Sequence, residues 1–136
     1  MPDTATTIVG NLTETPELRH TANGAAVADF SIAVTPRRPD GKGGFQDGET
    51  SFFRCSAWRG LAEHLADSLA KGDRVLVYGS LRQRAWETDA GERRSTVEVQ
   101  VEEAGPSLRW ATAKPQRTTG NSGGRKGGQV DDEPPY

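Results

Sequence analysis

The chain has 136 residues, 17 Lys+Arg against 19 Asp+Glu and a formal net charge of −2, which suits one domain with room for a tail. Residues 1–114 alone carry the same −2, because the remainder holds three charges of each sign, so any anion site must come from charge placement rather than bulk charge. The single cysteine, Cys55, excludes an intrachain disulfide but leaves a symmetric bridge between subunits open; no run approaches the ~18 apolar residues of a membrane span, and the start Met1-Pro2-Asp3-Thr4 lacks the pattern of a secretory leader.

Thr4 to Glu14 is rich in Thr, Ile, Val and Leu and reads as a strand bent near Gly10, with Pro16 closing it. Glu17 to Thr21 is a short strand ended by the turn signal Asn23-Gly24. Ala25 to Val34 alternates, with Ala26, Ala28, Phe30, Ile32 and Val34 on an apolar face and Val27, Asp29 and Ser31 on the other. Pro36 to Gly48 holds two prolines and four glycines and reads as a long flexible connection. Its Arg37, Arg38, Lys42 and Phe45 fit either a basic loop that folds over a ligand or a solvated hairpin loop.

Thr50 to Trp58 is the next strand, followed by Leu61, Ala62, Leu65, Ala66 and Leu69 at helical spacing, with Gly72 placed to stop the turn. Arg74 to Trp86 reads as a long strand with Val75, Val77, Gly79 and Leu81 facing the core. Asp89-Ala90-Gly91 turns the chain into Thr96 to Val101, whose Val97, Val99 and Val101 point inward. The segment Ser107 to Ala113 is an extra strand or an ordered extension, with Trp110 used for packing.

The order is three strands, one helix and two strands, plus the short Glu17–Thr21 piece. The expected class is therefore all-β, a five-stranded Greek-key barrel of the oligonucleotide-binding (OB) fold with one short α-helix between its third and fourth strands. An SH3-like barrel does not place a helix there. Residues 1–114 form the domain. Residues 115–136, with five glycines, three prolines and Val130 as the one aliphatic residue, cannot bury enough surface to fold and end in an acidic tip.

Alternation puts Arg82, Arg84 and Trp86 on one face of their strand, and Phe52, Arg54, Ser56 and Trp58 on one face of theirs. Aromatic platforms beside fixed positive charge match an unpaired nucleic-acid strand, since every base has a π-face and every linkage a phosphate. The bland alternative is that Phe52, Trp58 and Trp86 pack against a neighbouring subunit or a loop. An enzyme is not expected. His20 and His64 lie far apart, Cys55 falls on an apolar face, and no spacing fits a zinc site, a nucleophile–base pair or a phosphate-binding loop, so neither metal nor cofactor is implied.

Gly10-Asn11-Leu12, Pro16-Glu17-Leu18-Arg19, Asn23-Gly24, Phe53-Arg54-Cys55 through Trp58-Arg59, Leu61-Ala62-Glu63, Lys71-Gly72 and Leu81-Arg82-Gln83-Arg84-Ala85-Trp86 together resemble the bacterial single-stranded DNA-binding proteins over nearly the whole chain. Pro106 to Lys114 looks like the actinobacterial branch, where the segment after the barrel adds a strand that clamps two subunits. The resemblance implies a homotetramer, cytoplasmic and nucleoid-associated, that binds and protects single-stranded DNA in replication, recombination, repair or segregation. It also implies base-stacking Phe52, Trp58 and Trp86, and phosphate-contacting Arg19, Arg54, Arg82, Arg84 and Arg94. Arg38 stands where many members carry a stacking Trp, and would stack by its guanidinium plane or contact phosphate. The tip Asp131-Asp132-Glu133-Pro134-Pro135-Tyr136 stands where the family docks replication and repair proteins. Its few acids and terminal Tyr136 depart from the acidic run and terminal Phe usual there, which suggests a short-tailed second paralogue.

Overall fold

The computed structural model describes residues 3–118; the tip residues Asp131 to Tyr136 lie outside the described residues. Eight strands and one helix follow in chain order: β1 (Ala5–Leu12), β2 (Glu17–His20), β3 (Ala26–Val34), β4 (Arg37–Pro39), β5 (Phe45–Asp47), β6 (Ser51–Trp58), α1 (Arg59–Ser68), β7 (Arg74–Glu87) and β8 (Arg93–Pro106). Six strands form one sheet in the order β1-β7-β8-β6-β3-β2, and β1 also pairs with β3, so that β1, β7, β8, β6 and β3 close on one another. The class is all-β, with the helix between the third and fourth strands of the ring, as expected.

Closure demands a close approach, and Gly10 supplies it. A Cβ there would meet the Ala33 carbonyl and the Ile32 side chain, immediately beside the pairs Asn11–Ala33 and Leu12–Ile32 that join β1 to β3. The inward residues of the ring, among them Ile8, Leu12, Phe30, Ile32, Cys55, Ala57, Val75, Val77 and Val99, form one core with Ala62, Leu65 and Leu69 of α1. Val27, placed by alternation on the less apolar face of β3, is nevertheless fully buried. It sits between Arg19 of β2 and Trp58 of β6.

Helix α1 begins two residues earlier than its apolar spacing suggests. Arg59 turns the strand straight into the helix with φ 58, a left-handed backbone unusual for a residue with a side chain. The helix ends at Ser68, where Leu69 is buried and donates its N–H to the Leu65 carbonyl at 3.0 Å. Gly72, with φ 92, therefore serves the turn into β7 rather than the helix end, and its N–H reaches the Leu12 carbonyl at 2.9 Å.

The hairpin of β7 and β8 is longer than the sequence pattern suggests, and β8 runs through Arg93–Pro106 instead of Thr96–Val101. Glu102 is an extra residue opposite the step from Tyr78 to Gly79, a bulge at which a Cβ on Gly79 would strike the Gln100 carbonyl. Beyond it the hairpin rises past the core. Leu81 is 37% exposed and Val97 53%, so neither is the core residue that alternation implied. Alternation gives the direction of a side chain, but burial also needs an opposing layer, and the outer hairpin has none. The Pro36–Gly48 connection is not irregular, since Arg37–Pro39 pairs with Phe45–Asp47 as a separate two-stranded ribbon. Residues 107–113 form no strand; Ser107 is tied back by its N–H to the Arg74 carbonyl at 2.8 Å, and Trp110 is 74% exposed rather than packed in a core.

Cys55 is fully buried on the inner side of β6, its thiol directed at the Phe53 carbonyl at 3.7 Å, so a bridge between subunits does not form without unfolding. Burial pushes the thiol up to about 12, slightly offset by Arg54. The folded chain thus holds this proton while the unfolded chain releases it near pH 9, so the site leaves stability unchanged below that pH and lowers it as pH rises towards 12. Thiol reagents at pH 8 should leave the native protein unlabelled and react stoichiometrically in urea; rapid native labelling would contradict the burial. Gly79→Ala should cost about 1–3 kcal/mol in urea unfolding, through its clash at the bulge. Gly60→Ala, in open space on α1, should be neutral or stabilising by up to ~1 kcal/mol.

Candidate nucleic-acid interface

On β6 the residues Phe52, Arg54, Ser56 and Trp58 point away from the core, as the inward set Phe53, Cys55 and Ala57 requires. Cross-strand partners share a face, so the register extends this surface in rows. Arg82, Glu98, Arg54 and Ser31 form one row across β7, β8, β6 and β3, and Ser80, Gln100, Ser56, Asp29 and Glu17 form the next, reaching β2. Trp58 continues through Val27 to Arg19, while farther along the hairpin Arg84 pairs with Thr96 and Trp86 with Arg94. One outer surface therefore gathers Phe52, Arg54, Trp58, Arg82, Arg84, Trp86, Arg19 and Arg94. Arg38 is not part of it and lies on the β4–β5 ribbon, opposite Gln46.

The three aromatic side chains of this surface are exposed: Phe52 67%, Trp58 41% and Trp86 45%. Several large rings held in water on one face are the usual mark of a binding surface rather than of folding. The arginines between them are mostly engaged. Arg19 Nε meets Asp29 Oδ2 at 2.8 Å, Arg84 meets Glu98 at 3.2 Å, Arg94 meets Glu92 at 2.9 Å, and Arg54 lies 3.6 Å from Glu14 and 3.4 Å from the Ser31 hydroxyl. Among the described residues, Arg82 has no such partner. These pairs are solvent-exposed and individually weak, so a phosphate can exchange with the carboxylate at small net cost. The chain reaches a net charge of −2 with an arginine-rich face because carboxylates are built into that face.

The β4–β5 ribbon is closed at its tip by Asp40, whose Oδ1 accepts the N–H groups of Lys42 at 2.7 Å and Gly44 at 3.0 Å. Those two bonds hold its carboxyl below the ordinary carboxylate range. Arg37 lies over Phe45 at 6.0 Å from the ring centre, so the two basic residues of β4 and the aromatic of β5 are presented together on an ordered hairpin. Reading residues 107–113 as a strand or packing segment missed a second arrangement. The guanidiniums of Arg74 and Arg109 lie 4.7 and 5.3 Å from the Trp110 ring centre. The adjacency of Arg109 and Trp110 was the only local signal; Arg74 joins them through the fold. Among the described residues no group of three or more His, Cys, Asp or Glu converges as a metal site would require, and His64 Nε2 lies 3.2 Å from the Thr118 hydroxyl.

The model described as the single-strand binding protein family matches residues 3–106. The chain is 58% identical over 113 residues to a single-stranded DNA-binding protein of Mycolicibacterium smegmatis, covering 82% of this chain and 68% of that protein. It is 54% identical over 122 residues to one of Mycobacterium leprae, covering 89% and 73%. Among solved structures, the small single-stranded DNA-binding protein of Streptomyces coelicolor superposes with a TM-score of 0.68 at 36% identity, covering 79% of this chain and 97% of that one.

The interior of the face makes its own demand on stability. Asp29 accepts from both Arg19 and the Ser56 hydroxyl, at 2.8 and 3.0 Å, and is mostly shielded. Asp29→Ala should lower unfolding stability by about 1–3 kcal/mol, and Asp29→Asn by less, because an amide oxygen still accepts from Ser56. Equal losses in the two variants on urea denaturation would show that the charge, and not the Ser56 bond, is what matters.

Proposed function

The chain belongs to the single-strand binding protein family, and from that premise we propose that it binds and protects single-stranded DNA without regard to sequence, performing no chemistry on it. The observation that supports this reading most is the co-location of exposed Phe52, Trp58 and Trp86 with Arg54, Arg82 and Arg84 on one outer surface of the ring. Bases stack on the rings, each stack contributing roughly 1–3 kcal/mol, and phosphates exchange with the carboxylates that hold the arginines in the free protein. Stacking is not screened by salt, so affinity survives moderate ionic strength. Arg19 and Arg94 extend the phosphate track to the two ends of the surface, and Arg38 contacts the strand from the ribbon.

The working form is a homotetramer. Its support is the resemblance of Pro106–Lys114 to a clamping segment, together with the open side of β1, which pairs with β7 along Ala5–Asn11 but with β3 only at Asn11 and Leu12. Residues 1–114 carry binding and assembly, and residues 115–136 carry the tip Asp131–Tyr136 as a docking peptide for replication and repair proteins. Replication, recombination, repair and segregation are the processes that expose the substrate.

Titration of the protein with oligo(dT) should quench tryptophan fluorescence strongly at low salt and still at high salt. Trp86→Ala should keep the wild-type melting temperature and bind about 5- to 150-fold more weakly, the equivalent of one lost stack. Absence of quenching at low salt would sink the reading and leave the face to a protein partner.

A further inference from the structure

The row that ends in Phe52 continues away from the aromatic surface. Phe52 pairs with Ala33, Ala33 with Asn11, and Asn11 with Arg74, so these four lie side by side on the outer wall of the ring. With strands ~4.8 Å apart, Arg74 stands roughly 15 Å around the wall from Phe52. There the wall opens into a cavity of about 500 Å³, bounded by β1, β3, the ribbon and the segment after β8, into which Arg37, Arg74, Arg109 and Trp110 contribute. No Asp or Glu lines it. That distinguishes it from the aromatic face, where four of the five arginines already hold a carboxylate.

The cavity is built rather than incidental. The Ser107 N–H donates to the Arg74 carbonyl at 2.8 Å and the Arg109 N–H to the Ser107 hydroxyl at 3.2 Å, which pins the chain after β8 against β7. Trp110 then holds both the Arg74 and Arg109 guanidiniums against its ring. Arg74 Nε is buried without a hydrogen-bond partner among the described residues, an unmet donor in a wall that carries excess positive charge. Arg37 reaches the same space from the ribbon with only a long 3.7 Å pair to Asp47. Three guanidiniums around one concavity with no acid in its lining select a polyanion.

Resting on the single-stranded DNA reading above, we infer that the Arg37–Arg74–Arg109 cleft is a second contact site, which takes the phosphodiester backbone of the strand as it leaves the aromatic surface past Phe52. Trp110 is a positioning residue there, holding two guanidiniums rather than stacking a base. The cleft binds phosphate without bases, so it contributes affinity and salt dependence to long strands and nothing to strands that span only the aromatic surface.

The test uses the full chain with Arg109→Gln and Arg37→Gln/Arg109→Gln, both at exposed positions, and Arg109→Lys as the charge-retaining control. Tryptophan quenching is titrated with the shortest oligo(dT) that quenches the wild type fully and with one several times longer, over a series of salt concentrations. With melting temperature and quenching amplitude at wild-type values, the long strand should bind at least ~5-fold more weakly to Arg109→Gln at low salt. Its slope of log K against log salt should be shallower by about 0.7 per contact removed, the short strand should be unaffected, and Arg109→Lys should retain most of the wild-type slope. Wild-type slopes in both glutamine variants would overturn the inference, as would an equal loss at both lengths. Tighter binding by Arg109→Gln that vanishes when residues 119–136 are deleted would mean that the cleft holds the chain's own acidic tip, and would overturn it too. Failure of the parent reading is separate, since it appears as absent quenching in the wild type.

Discussion

Two backbone pairs, Asn11 with Ala33 and Leu12 with Ile32, turn an open sheet into a ring, and everything else follows from that closure. An open twisted sheet of this size would need a second layer on each face to bury its apolar residues. Closing it lets one set of alternating residues, from Ile8 to Val99, face itself and α1, which frees the opposite set for water and ligands. The approach of β1 to β3 leaves no room for a side chain at Gly10, and the bulge at Glu102 leaves none at Gly79. Both glycines lie where the ring bends or its register shifts.

The outer surface answers a conflict between stability and binding. Arginines needed for phosphate would repel one another on an empty face, and the rings between them would weaken solvation of the free protein. Asp29, Glu98, Glu92 and Glu14 relieve the repulsion through pairs that are short but exposed and therefore exchangeable. The consequence is a face whose charge is nearly balanced before binding, so that the aromatic groups and not net charge set most of the affinity. The Arg37–Arg74–Arg109 cleft is organised differently, with cations and no acids in its lining, and the fold places it at the end of the row through Phe52.

The long β7–β8 hairpin shows how the same pattern changes meaning with context. Val75 and Val77 are core residues, while Leu81, Val97 and Trp86, which continue the strands, stand in solvent because no layer lies opposite them. The hairpin thus carries Arg82, Arg84 and Trp86 out past the ring, where a flexible polymer can reach them from more than one side.

Strand identity, the position of the helix, the inward and outward sets on β6, and the Arg and aromatic stripe of β7 are all legible in residue order, because alternation and helical spacing are local properties of the backbone. Resemblance in motif order carried the family to the same answer. The pairing of Arg37–Pro39 with Phe45–Asp47, the exposure of Leu81 and Val97, and the start of α1 at a left-handed Arg59 are not legible there. Each depends on what lies opposite a residue rather than on the residue itself. The rows that join Arg82 to Glu98 and Arg54, and Phe52 to Arg74, bring together residues distant along the chain. Register and ring closure alone make them neighbours, since a one-residue slip in any strand would turn its side chains to the other face.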